Sequence, residues 1–113
     1  MSELKRIEAV DQIDRWLEKS REQPVFIFKH SLTCPISTRA YDEYQSFIAA
    51  GAEGVDFALV EIQRAREVSN EIAARTGVRH ESPQALLFDG GEVKWHASHG
   101  AITAASLGQA LGA

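Results

Sequence analysis

Apolar residues recur at two different spacings along this chain, and the switches between them mark out its elements. Leu4, Ile7, Val10, Ile13, Trp16 and Leu17 fall on one helical stripe, with Glu3, Arg6, Asp11, Arg15, Glu18 and Lys19 elsewhere, which predicts a first helix over about 6–19. Residues 20–24 are polar and close on Pro24, a loop signal. Pro24-Val25-Phe26-Ile27-Phe28 is a short run of β-branched and aromatic side chains, the pattern of a central parallel strand buried on both faces. Helical spacing returns with Ile36, Ala40, Tyr44, Phe47 and Ile48, set against Arg39, Asp42, Glu43 and Gln45, and a second helix ends near Ala50-Gly51. Residues 55–62 have strand character, completing a β-α-β unit with a right-handed crossover. A third helix over 64–76 carries Val68, Ile72 and Ala73, and Gly77 follows it. Residues 83–88, Asp89-Gly90-Gly91 and residues 93–97 read as strand, tight turn and antiparallel partner. Gly100 and Thr103 introduce a last helix over 103–111 with Ala104, Leu107 and Leu111. The predicted order is α-β-α-β-α-β-β-α: an α/β fold with a four-stranded mixed sheet flanked by helices.

Composition sets bounds on this picture. At 113 residues and 44% hydrophobic the chain reads as one domain, 1–113, able to bury a core without staples. A formal charge of -4 and the lack of any Lys/Arg run argue against nucleic acid or an anionic membrane as the main partner. No apolar stretch has the length of a transmembrane helix, and residues 1–6 lack a secretory h-region, so a reducing cytoplasm is the expected compartment. The single cysteine, Cys34, permits no intramolecular disulfide. A second thiol must come from outside.

Cys34 stands where strand-like sequence becomes helix-like sequence. Pro35 has a fixed φ and no N–H, which costs nothing at the first helical position, so Cys34 is placed at a helix N-terminus. Unpaired backbone N–H groups and the positive end of the helix dipole favour a thiolate there, and thiolate is the form that attacks disulfides. Thr33 can cap the helix or donate to the sulfur, and Lys29 and His30 can add positive potential. Alternation sends Lys29 and His30 to opposite faces, which also fits strand-end surface residues. Ser37 is either an ordinary polar residue of a first turn or a hydroxyl donor to the thiolate. A lone cysteine without such a setting is usually an inert, buried hydrophobe. Trp16 and Tyr44 read as core, while Trp95 fits either core or a groove wall. His80, His96 and His99 have no metal-ligand spacing with Cys34, and no metal is expected.

A β-α-β unit followed by a hairpin and a helix resembles the thioredoxin plan. In that family the attacking cysteine opens a Cys-x-x-Cys or Cys-x-x-Ser motif, matched here by Cys34-Pro35-Ile36-Ser37, with Ser37 where a dithiol enzyme keeps its resolving cysteine. The family also has a cis-proline facing the cysteine, a place that Ser82-Pro83 matches. More narrowly, Phe28-Lys29-His30-Ser31, Thr33-Cys34-Pro35-Ile36-Ser37, Ser82-Pro83-Gln84 and Trp95-His96-Ala97-Ser98-His99 resemble the monothiol bacilliredoxin (YtxJ-type) family over most of the chain. Gly100-Ala101 departs from relatives that carry a bulkier residue after Ser98-His99, which leaves the role of the His99 region open.

The resemblance implies a thiol–disulfide oxidoreductase that removes bacillithiol from protein mixed disulfides, with Cys34 as nucleophile. Thr33, Pro35, Ser37, Lys29 and His30 would support the thiolate, and the backbone at Ser82 and Pro83 would pair with the substrate chain. Bacillithiol is then a co-substrate and no cofactor is tightly bound. The implied partners are bacillithiolated proteins, free bacillithiol and a separate reductase for oxidised bacillithiol. The reading from another class is a thioredoxin-like binding module, either an iron–sulfur carrier of the monothiol glutaredoxin type or an interaction domain. Those carriers resemble Cys-Gly-Phe-Ser at the site, whereas Pro35 here removes a backbone donor and stiffens the loop.

Overall fold

A computed structural model describes residues 4–112. Its element order is β1 (Leu4–Arg6), α1 (Asp11–Lys19), β2 (Val25–His30), α2 (Pro35–Ala49), β3 (Asp56–Glu61), α3 (Arg66–Thr76), β4 (Gln84–Asp89), β5 (Glu92–Ser98), a 3-10 turn (His99–Ala101) and α4 (Ala104–Gly112). The sheet has five strands in the order β1-β3-β2-β4-β5. β1 and β2 run parallel to β3, and the β4–β5 hairpin joins antiparallel to β2.

The four-stranded expectation is corrected at the N-terminus. Leu4–Arg6 is a parallel edge strand on β3, and Ile7 N–H donates to Leu59 O at 2.9 Å, so a fifth strand precedes the helix, which was expected from about residue 6 and starts only at Asp11. The cause of the misreading is a coincidence of spacing. Leu4 and Ile7 lie three residues apart, which also fits a helical stripe, yet α1 starts only at Asp11. Gln12 Oε1 accepts the N–H groups of Glu8 and Ala9, at 2.7 and 3.2 Å, and closes the turn that separates strand from helix.

β2 is buried along its whole length because both faces of the sheet are covered. Val25 and Ile27 face a core formed with Ile13 and Trp16 of α1, and Val68 and Ile72 of α3. Phe26 and Phe28 face the other core, with Ala40 and Tyr44 of α2 and Leu107 of α4. Tyr44 stacks on Phe28 at a centroid distance of 4.9 Å, and its hydroxyl lies 3.2 Å from Phe26 O and 3.1 Å from Ala58 O, tying α2 to the two central strands. Trp95 is half-buried and meets Phe26 edge-on at 6.1 Å, so it flanks this core. Gly77 ends α3 at φ 72, a left-handed conformation that a Cβ disfavours. The strand order puts β2 in the middle of the sheet, so its C-terminal end and the turn into α2 lie over the centre of the fold.

Candidate active site

Cys34 is the N-cap residue of α2, in extended conformation (φ -99, ψ 121), as its position before a proline favours. Pro35 takes the first helical position, and Thr38 N–H makes the first helical bond to Cys34 O at 3.1 Å. The residues four back from Ile36 and Ser37 precede the helix, so these two N–H groups have no intrahelical acceptor, and the first turn of α2 holds no acidic residue. The half-buried, free thiol of Cys34 thus stands at the positive end of the α2 dipole. Thr33 was expected as a cap, but Cys34 occupies the cap and makes no side-chain capping bond. Thr33 Oγ1 instead lies 3.4 Å from Gln63 Nε2.

Ser37 is fully buried, whereas Ile36, expected on the apolar stripe of α2, is 52% exposed. The first turn of α2 is rotated so that the hydroxyl, and not the isoleucine, enters the protein. Ser37 Oγ accepts the N–H of Ser31 at 2.9 Å and lies 2.8 Å from His30 Nδ1. It thus connects the end of β2, the loop and the helix. His30 is buried, stacked on Tyr41 at 4.7 Å. Burial lowers its pKa below the ordinary histidine range, opposed by the Glu61 carboxylate.

Lys29 is also buried, which corrects the surface reading of both residues. It points into the opposite layer from His30, where Nζ donates to Ser69 O of α3 at 3.0 Å and lies 3.4 Å from His80 Nδ1. Burial pushes its pKa down to about 8. Its observed partners thus belong to α3 and the following loop and not to the first turn of α2.

The Ser82-Pro83 bond is cis, and Pro83 is buried at the start of β4, the strand beside β2. Pro83 O accepts the N–H of His99 at 3.0 Å, and His99 pairs with Glu81 at 3.3 Å. Ser82 Oγ and Gln84 Oε1, on either side of the proline, are buried without a protein partner among the described residues. Beside Ile36, a cavity of about 340 Å³ is lined by Arg39, Glu43, His99 and Ile102 among others. His80, His96 and His99 lie in different places: His80 beside Lys29, His96 exposed on β5 and His99 beside Glu81. Among the described residues no group of three His, Cys, Asp or Glu side chains is arranged to hold a metal ion.

Sequence reasoning missed Gln63. This exposed residue of the β3–α3 turn accepts Leu32 N–H at 3.0 Å and donates to Ser31 Oγ at 2.9 Å, strapping the loop that carries the chain from His30 to Cys34. A glutamine in a polar turn, far from the cysteine in sequence, has no pattern that would single it out. Gln63→Ala is expected to slow thiol–disulfide exchange by about three- to tenfold while costing only about 0.5–1.5 kcal/mol of stability. Stopped-flow exchange with a model disulfide, paired with urea unfolding, checks both; unchanged exchange would show the strap to be idle.

Residues 5–107 match the family described as Monothiol bacilliredoxin BrxC. Among solved structures the chain is similar to a protein described as a proposed oxidoreductase with a thioredoxin fold, at 39% identity and TM-score 0.86, covering 95% of this chain and 92% of that one. Thioredoxin from Trypanosoma brucei brucei aligns at 17% identity and TM-score 0.75, covering 96% of this chain and 88% of that one. Thioredoxin f from spinach chloroplast aligns at 14% identity and TM-score 0.75, covering 98% and 92%. The last two show a shared fold.

Proposed function

The chain belongs to the monothiol bacilliredoxin family and has the thioredoxin fold, a thiol–disulfide oxidoreductase architecture, and on that footing we propose that it removes bacillithiol from protein mixed disulfides. The observation that carries this reading is the chain's one thiol at the N-cap of α2, with a buried serine three residues on. The Cys34 thiolate attacks the bacillithiol sulfur of a protein–bacillithiol disulfide. That S–S bond breaks, the repaired protein leaves as a thiolate, and Cys34 carries bacillithiol. Ser37 cannot resolve the adduct, so the thiolate of a second bacillithiol attacks it, freeing Cys34 and forming oxidised bacillithiol, which a separate reductase returns to the thiol.

Leu32 and Ile36, 40% and 52% exposed, stand on either side of Cys34 and offer apolar contact to a protein substrate. The backbone at Ser82 and Pro83 would pair with the substrate chain. Ser37, Thr33, Pro35 and His30 hold the thiol loop, and Lys29 supports the layer beneath it. No tightly bound cofactor, nucleic acid or membrane enters this scheme, and its setting is the cytoplasm; no described helix is long and apolar enough to cross a membrane.

The test is the mass of the protein after incubation with oxidised bacillithiol and, separately, oxidised glutathione, each followed by its reduced thiol. One bacillithiol adduct on Cys34, cleared by free bacillithiol and formed faster than the glutathione adduct, is expected. Equal rates with both disulfides would remove the substrate assignment and leave a general monothiol oxidoreductase.

A further inference from the structure

The turn between β5 and α4, whose role the sequence leaves open, encloses a cavity of about 340 Å³ with α2. Ile36 forms part of its wall, two residues after Cys34, and successive Cα atoms are about 3.8 Å apart, so that wall begins within about 7.6 Å of the Cys34 Cα. His99 forms another part. Its N–H is bound to Pro83 O at 3.0 Å and its ring lies 3.3 Å from Glu81, which ties this turn to the cis-proline loop. His99 takes φ 55, a left-handed conformation uncommon for a residue with a side chain, and such conformations persist where their surroundings fix them and recur at ligand clamps. Gly100 also lines the cavity, and a Cβ there would meet nothing within 4 Å, so the space beside it is open.

The polar groups around this space are used unequally. Glu43 Oε1 accepts Ala104 N–H at 2.9 Å and fixes the start of α4 against α2. Thr103 and Ser106 cap α4 reciprocally, each side-chain oxygen accepting the other's backbone N–H at 3.0 Å. The N–H groups of Ala104 and Ser106 are thereby satisfied, while the Thr103 hydroxyl keeps a hydrogen to donate. Arg39 stands four residues before Glu43, a spacing at which opposite charges on a helix pair, yet its guanidinium has no hydrogen-bond or ion-pair partner among the described residues. A free guanidinium fork with a hydroxyl donor on the same cavity suits a carboxylate, which it can hold through two parallel bonds.

We infer that this cavity is the subsite for the small thiol bonded to Cys34, and that Arg39 recognises a carboxylate on it. The volume is that of a small-molecule pocket. Bacillithiol fits the chemistry, because its malyl group places carboxylates well away from its sulfur, and a neutral thiol has nothing to offer the guanidinium. The inference rests on the proposal that Cys34 carries the small thiol, and adds the part of the protein that selects an anionic one. No bond forms or breaks beyond the exchange already described: the subsite holds the non-sulfur end of the moiety while Cys34 is bonded to it.

The test follows the rate of adduct formation on Cys34 by mass, for wild type, Arg39→Gln and Arg39→Lys, with three disulfides in excess: oxidised bacillithiol, oxidised glutathione and neutral hydroxyethyl disulfide. Comparing each variant with wild type on the same disulfide cancels the disulfide's own reactivity. Arg39 is exposed and unpaired, so its replacement leaves the urea midpoint in place. Arg39→Gln is expected to slow the bacillithiol adduct about five- to thirtyfold and the hydroxyethyl adduct less than about twofold. Arg39→Lys restores only part of the loss, and the loss persists in about 0.5 M salt, where diffuse attraction between exposed charges is screened. Equal slowing with all three disulfides, no slowing with bacillithiol, or a loss that vanishes in salt overturns the subsite. The glutathione arm separates this result from the substrate assignment. If wild type takes both anionic disulfides at one rate and Arg39→Gln slows both, the subsite stands and bacillithiol specificity falls. If bacillithiol is preferred and Arg39→Gln changes nothing, the assignment stands and the subsite falls.

Discussion

Cys34→Ser is expected to lower thiol–disulfide exchange by more than about a thousandfold, with little change in fold or stability. The argument has two parts. Cys34 is the sole thiol in the chain, so no neighbouring sulfur can substitute for it once it is gone. A serine hydroxyl in its place is far too basic to be ionised near neutral pH and forms no stable bond to the sulfur it would attack. Structurally the change is mild, because the half-buried Cys34 side chain makes no capping bond and serine is itself a preferred N-cap residue. The expected pattern is therefore activity lost with the urea midpoint kept or slightly raised. Measured exchange of the variant within tenfold of wild type would mean that the reaction does not pass through this residue. A parallel loss of both activity and stability would assign Cys34 a structural role that its surroundings do not suggest.

What could be read from the sequence follows from where the information is local. The strand–Cys–Pro–helix junction is written in adjacent residues: an apolar run, then a proline that can only start the helix. Gly77 and Gly90-Gly91 mark ends and turns through backbone freedom, and the hairpin and final helix follow. β1 was missed because three residues are too few to separate a strand from a helical stripe when Leu4 and Ile7 satisfy both. The site was legible as a list and not as an arrangement. Ser37 stands where the motif puts it, but its burial depends on how α2 is rotated over β2, which no local pattern states. Lys29 and His30 looked like a strand end running into solvent. Both are covered because α3 and the turn after it lie over one face, and Tyr41 and Ser37 over the other.

Lys29→Met is expected to stabilise the protein at pH 7 by about 1–3 kcal/mol. The ammonium is fully buried in β2 and its partners are neutral: a helix carbonyl, Ser69 O, and an imidazole nitrogen, His80 Nδ1. Desolvation without a counter-charge lowers its pKa from 10.5 to about 8, a gap that corresponds to roughly 3 kcal/mol of penalty on the charged native form at about 1.4 kcal/mol per pH unit. Methionine has a similar length and no charge. It orphans little, since Ser69 O lies inside α3 and has a helical donor in reach, while His80 Nδ1 keeps the Ser69 hydroxyl at 3.1 Å. The loss of the two ammonium contacts offsets part of the gain.

The pH dependence separates this cause from better packing. Below pH 8 the lysine is protonated in both the folded and unfolded chains, and the penalty is constant. Between about 8 and 10.5 the unfolded chain holds a proton that the native protein has released, so the wild type gains stability as pH rises. The advantage of the methionine variant should therefore be full at pH 7 and shrink steadily above 8. Urea unfolding of both proteins at intervals from pH 7 to about 9.5 measures the difference directly, and groups that Lys29 does not touch cancel between them; His80, held below the usual histidine value by burial and then by the Lys29 charge, is the one neighbour whose titration the substitution changes. A variant less stable at pH 7 would show that the ammonium's bonds to α3 and His80 outweigh its desolvation. An advantage constant across the range would mean that Lys29 is not the group that titrates.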